Sequence, residues 1–177
     1  MRNRQAFLFI VVALAILGLA PAPVMASSQT QTYQLHLEEP NVARAPNGDM
    51  VSVTGMGTFT VNPKSATGSG SFTHTNSQGT ILGSGTWTAT ELLSFQLYGC
   101  GVVLGMPIPD NFCGGKLQLR VTLTPTGGTP HDGILWVYCI IGPNPPNSAE
   151  EGVRLLIPGV INFNEVVTGD NVYIRTS

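Results

Sequence analysis

Three near-copies of one phrase stand in the first half of the chain: Gly55-Met-Gly-Thr-Phe59-Thr60, Gly68-Ser-Gly-Ser-Phe72-Thr73 and Gly83-Ser-Gly-Thr-Trp87-Thr88. In extended backbone alternate side chains share a face, so each phrase sets two glycines and one aromatic on one side and small or flexible residues on the other. Glycine weakens a strand through backbone entropy and lost packing. Three such pairs therefore point to close approach of another layer or to a sharply curled sheet. Gly57, Gly70 and Gly85 are expected on the concave face of that sheet, beside Phe59, Phe72 and Trp87, with the rings settling over bare backbone on adjacent strands. The phrases are offset by 13 and then 15 residues, too irregular and too few for a solenoid.

The rest of the chain agrees with this constraint. Period-two alternation recurs throughout, and no segment sustains the three-and-four spacing of an amphipathic helix. Tyr33, Leu35 and Leu37 form a first strand expected to stop at Glu38-Glu39-Pro40, and Asn47-Gly48-Asp49 reads as a turn. The glycine-aromatic strands follow, and Leu93, Phe95 and Leu97 make a further strand into Cys100. Lys116 to Thr124 alternates apolar and polar, so one of its faces is wet. Ile134 to Ile141 is apolar on both faces, as in a central strand covered on each side. Strands are also expected near 153–157, 161–167 and 171–175, the last two joined by a hairpin turn at Thr168-Gly169-Asp170-Asn171. The expected fold is all-β: a single-domain antiparallel barrel or tightly curled β-sandwich of about 9 to 11 short strands.

Arg2 and Arg4 precede an apolar run from Ala6 to Ala20, and Val24-Met25-Ala26 supplies the compact residues a signal peptidase reads. Residues 1–26 are thus expected to be a cleaved signal peptide and 27–177 the secreted domain. The apolar run is shorter than the roughly 20 residues of a membrane span, so no stable membrane insertion is expected after cleavage. The product is expected to be extracellular, with the periplasm or a cell surface as variants of that location. Losing Arg2 and Arg4 leaves six basic against ten acidic groups, a formal charge of −4, which argues against nucleic acid as a partner. Charged residues are 10% of the chain against about 25% in an average domain. Serine, threonine, asparagine and glycine carry the solubility instead.

Cys100 and Cys113 bracket a segment with two prolines and internal glycines between strand candidates. A disulfide there is expected, clipping a loop of near 15 residues at a gain of about 3 kcal/mol in the chain-entropy model. Cys139 lies in an apolar run and is expected to be a buried, unpaired hydrophobe.

The glycine phrases lack the following helix that a phosphate-cradling loop requires. On fragments of the chain, the glycine-spaced strands resemble those of allene oxide cyclase and dirigent barrels, and Gly85-Thr86-Trp87 resembles a triplet of small ligand-binding barrels. That resemblance implies a barrel with an apolar interior. Of His36, His74 and His131, only His74 shares a face with Phe72 and the phrase glycines, which sets it at the end of that face near a barrel mouth. His131-Asp132 reads as a loop pair, with Asp132 in a turn role. The histidines and cysteines lack metal-site spacing, so neither metal nor cofactor is expected.

The leading functional expectation is non-enzymatic binding of an extracellular small apolar ligand, glycan or protein partner. It would use the interior or the loops at 101–112, 125–133 and 143–152, with His74, Tyr98, Glu91 and Trp87 as candidate pocket residues. The alternative is a cofactor-independent barrel enzyme, an isomerase or cyclase using His74, Tyr98 or Glu91. A third class is a structural protein of the envelope or extracellular matrix, which would have a filled core.

Overall fold

The computed structural model describes residues 29–177, so the expected signal peptide lies outside the described residues. Twelve strands follow in chain order: β1 (Thr32–Arg44), β2 (Met50–Thr60), β3 (Ser65–Thr75), β4 (Ile81–Cys100), β5 (Val102–Val103), β6 (Met106–Pro107), β7 (Phe112–Pro125), β8 (His131–Cys139), β9 (Gly152–Ile157), β10 (Ile161–Phe163), β11 (Glu165–Thr168) and β12 (Asn171–Arg175). No helix occurs among the described residues. Ten strands form one antiparallel sheet in the order β10-β9-β8-β7-β12-β1-β2-β3-β4, with β11 also on β1. Its last strand, β4, returns to pair with β7 and closes a ring. The domain is a curled, barrel-like all-β unit. The small β5–β6 hairpin stands apart inside the Cys100–Cys113 segment.

Register explains how the phrases build the curl. Gly55 lies opposite Gly70 and Gly57 opposite Gly68, while Gly70 lies opposite Trp87 and Phe72 opposite Gly85. Directly opposed residues share a face, so Trp87 and Phe72 each cover a glycine on the next strand; Phe59 does not, since it lies opposite Ala66 and Tyr33. A Cβ at Gly70 would meet the Trp87 Nε1 at 2.6 Å, and one at Gly85 would meet the Phe72 Cζ at 2.9 Å. Phe59, Phe72 and Trp87 are all buried.

Several local expectations need correction. β1 does not stop at Glu38-Glu39-Pro40. It bulges there, where Pro40 has no N–H to give the ladder, and resumes its pairing with β2 at Asn41, whose side-chain amide donates to the Glu39 carbonyl at 2.9 Å within the bulge. The last glycine-aromatic strand and the further strand expected through Leu93, Phe95 and Leu97 are one 20-residue strand, β4, kept on β7 through three bulges that bend it around the barrel. Thr168 to Asn171 is not a hairpin turn. β11 and β12 run in line along the same edge of β1, and the break between them faces the β1 bulge, where the Glu38 N–H reaches the Asp170 carbonyl at 2.9 Å. The segment expected at 161–167 splits at Asn164 into β10, paired with β9, and β11, paired with β1. β8 is central, between β7 and β9, yet among the described residues no second sheet layer covers its outer face. Its Trp136 there lies under the Lys116 ammonium, 4.2 Å from the ring centre, so the cation and its aliphatic stem do the covering.

The interior is filled through most of its length. At one end Tyr33, Phe59, Phe95 and Tyr173 pack ring on ring, with centroids 4.8 to 5.7 Å apart. In the middle Trp87 closes against Val53, Val121, Leu123, Leu135 and Leu155, leaving no room for water. The Cys100–Cys113 disulfide joins directly opposed residues of β4 and β7 with Cα atoms 3.9 Å apart. Cys139 is buried and free, as its apolar context predicts. Burial pushes its thiol far up from the ordinary value, with Glu151 adding to the effect, and its Sγ lies 2.9 Å from the Asn171 carbonyl it donates to.

Candidate functional site

The other end of the barrel is open. Beyond Phe72 and Trp87 the glycine face continues one step further, where His74 stands opposite Gly83. No ring covers this glycine: nothing lies within 4 Å of the position a Cβ would take there. The space so left is a cavity of about 320 Å³. Val51 of β2, Phe72 and His74 of β3 and Leu123 of β7 form its floor and one wall, and Leu155, Ile157, Ile161 and Phe163 of β9–β10 form the wall opposite. Its polar side chains are His74 and His131; Ser84 borders it too, but lies opposite Thr73 with its side chain on the outer face.

His74 is held from two sides. Its Nε2 lies 3.0 Å from Asp49 Oδ2, with both side chains mostly buried. Its ring meets Phe163 edge to face at a centroid distance of 5.2 Å. Asp49 gets there by local geometry: Asn47 Oδ1 accepts from the Asp49 N–H at 3.1 Å, an Asx turn. Asp49 also precedes Val51 by two residues, and Val51 is the register partner of His74. The alternation that aims Val51 inward thus aims the carboxylate at the imidazole. An imidazole fixed by a carboxylate can accept or exchange a proton with a bound group.

The sequence candidates do not converge on this cavity. His74 lines it. Trp87 lies beneath the floor, in the sealed middle of the barrel. Tyr98 is buried at the far end beside Cys139, where desolvation raises its phenol above the ordinary value and the neighbouring thiol adds to the rise. Glu91 is exposed on the outer face, 2.9 Å from Arg120 Nε. Two participants escaped the sequence reading. Asp49 was visible only as a turn residue. His131 is not in a loop but opens β8, opposite Leu123, with its side chain in the cavity lining; the alternation His131, Gly133, Leu135, Val137 was the signal for it.

Other depressions are more open to solvent. One of about 570 Å³ lies between the β5–β6 hairpin and the proline-rich segment at 142–149. Another, of about 400 Å³, touches Glu38, Glu151 and Asp170. The His74 cavity is smaller, but it joins apolar enclosure to converging polar groups, the combination that marks ligand sites. No group of three or more His, Cys, Asp or Glu side chains among the described residues is arranged to hold a metal ion. Compared with protein-family models, curated proteins and solved structures, the chain matches none.

Proposed function

We propose that the protein is a secreted binding module for a small apolar molecule held in the His74 cavity. The observation that carries this reading is an apolar space left open at one end of a barrel whose middle is sealed around Trp87 and whose other end is packed with rings. Its volume is about that of ten waters in the liquid, near the lower bound of roughly 300 Å³ for ligand pockets. Ile81 and Leu82, just before Gly83, and Val160 in the lining are exposed apolar side chains, which gives a ligand an apolar approach. Secretion rests on the signal at 1–26 and predicts a mature N-terminus at Ser27, which N-terminal sequencing of exported protein reads directly.

The binding test uses naphthalene as a probe, followed by the amide shifts of Leu155, Ile157 and Phe163. Gly83→Leu, whose side chain would enter open space, is expected to fill the cavity, abolish the shifts and leave the fold intact. Shifts absent from the parent, or unchanged in Gly83→Leu, would overturn the reading.

A second reading, a cofactor-independent enzyme, is favoured by one feature, the carboxylate-held imidazole facing an apolar space. It ranks below binding because a general base needs a partner that stabilises the developing charge. Among the described lining residues His131 adds the other inward polar side chain, and it is not hydrogen-bonded to the dyad.

A further inference from the structure

The class of ligand follows from the tautomer that Asp49 imposes on His74. Resting on the cavity reading above, we infer that the site selects a neutral molecule whose polar end donates a hydrogen bond, a phenol or alcohol on an apolar body, and that His74 accepts it.

A carboxylate offers acceptors only, so the Nε2 that lies 3.0 Å from Asp49 Oδ2 carries the hydrogen. In the neutral ring Nδ1 is then an acceptor. Among the described residues no protein group donates to it. The His74 side chain is one quarter exposed, so water serves this acceptor in the empty cavity; a ligand that displaces the water without offering a donor leaves the acceptor unpaired, and a ligand donor removes that cost. The ring cannot turn away to satisfy itself elsewhere, since Asp49 holds one edge and Phe163 packs against it.

The remaining head groups fit worse. A ligand carboxylate would add an anion near Asp49, and the cavity lining contains neither lysine nor arginine. An ammonium would have to be stripped of water against a wall of leucine, isoleucine, valine and phenylalanine, with the Asp49 charge already engaged by the imidazole. A neutral hydroxyl loses least on entry. A site that hydrogen-bonds a hydroxyl discriminates against the analogue lacking it, because its own polar group is then left unpaired. His131 adds a second ring to the lining, but without an orienting partner among the described residues, so the fixed acceptor is His74.

Three probes of one skeleton test this: naphthalene, 2-naphthol and 2-naphthoate, titrated against the folded protein. 2-Naphthol is expected to bind about tenfold more tightly than naphthalene, and 2-naphthoate at least tenfold more weakly than 2-naphthol. His74→Phe should erase the preference for 2-naphthol while naphthalene binding stays within about twofold. Asp49→Asn, which releases the tautomer, should narrow the preference without the loss of the ring; it carries the test should His74→Phe fail to fold. Equal binding of naphthalene and 2-naphthol by the parent, or a preference that survives in Asp49→Asn, would overturn this inference and leave the cavity reading standing. Failure of both naphthalene and 2-naphthol to bind would overturn the cavity reading itself.

Discussion

The indole N–H of Trp87 donates to the backbone carbonyl of Thr54 at 2.9 Å, reaching from β4 across β3 to β2. It does so by lying over glycines. Gly70 on β3 is its direct partner, and Gly55 on β2 is the partner of Gly70. A Cβ at Gly55 would meet the indole Cζ2 at 2.6 Å, and one at Gly70 would meet Nε1 at the same distance. The glycines are thus the condition for the ring to reach Thr54, and the ring is what fills the barrel there.

Gly70→Val and Gly85→Val are therefore expected to destabilise the fold, although valine is the better strand former. Overpacking of this kind costs on the order of 1 to 3 kcal/mol. Backbone lies close as well: a Cβ at Gly70 would sit 2.7 Å from Gly55 Cα, and one at Gly85 would sit 2.8 Å from Pro125 Cα. Denaturant unfolding decides it, and a valine variant as stable as the parent would mean that this face is not packed.

Trp87→Phe tests the hydrogen bond apart from the ring. It keeps an aromatic over the glycines and leaves the Thr54 carbonyl without its indole donor, at an expected cost of about 1 to 3 kcal/mol. Unchanged stability would show that water replaces the indole.

Glu151 makes stability depend on pH. Its carboxylate accepts from the Ile140 N–H at 2.7 Å and the Asn171 N–H at 3.0 Å. Burial outweighs these bonds and raises its pKa from 4.5 to about 7. The folded protein consequently holds the Glu151 proton more tightly than the unfolded chain does. This contribution is fully present below about pH 4.5 and is lost as pH rises through about 7. Between those limits the parent is expected to lose about 2 to 3 kcal/mol relative to Glu151→Gln, which cannot ionise. Parallel stability profiles for the two proteins would refute it.

Cys139 should be inert in the native state, because its thiol is buried and its ionisation suppressed. A thiol reagent is expected to label nothing in folded protein and one cysteine per chain in unfolded, unreduced protein. Rapid native labelling would place Cys139 at the surface.

Replacing Cys100 and Cys113 together by serine removes the crosslink between β4 and β7. The expected loss is about 3 kcal/mol for a loop of this length, read as a lower denaturation midpoint with an intact fold.

The alternation of glycine with Phe59, Phe72 and Trp87 was enough by itself to determine an all-β chain with a curled sheet, because a strand's period of two assigns faces without reference to any partner. The Cys100–Cys113 bridge was legible for a similar reason: both cysteines bracket one turn-rich segment, so closure is local. His74 could be placed at the end of its face by counting from Phe72. What depends on which strands meet was decided by the tertiary structure. Asp49 and His74 lie 25 residues apart, and only the β2–β3 register brings carboxylate to imidazole. Leu155, Ile157 and Phe163 face His74 only because β8 and β9 extend the sheet from β7 and curl it over the open end. Glu91 is as polar and as near the glycine strands in sequence as His74, yet the bulge between Ala89 and Glu91 disrupts the alternation that links it to Trp87, and it lies outside with Arg120. Long-range pairing and bulges carry no local period, so the cavity and its wall had to be seen folded.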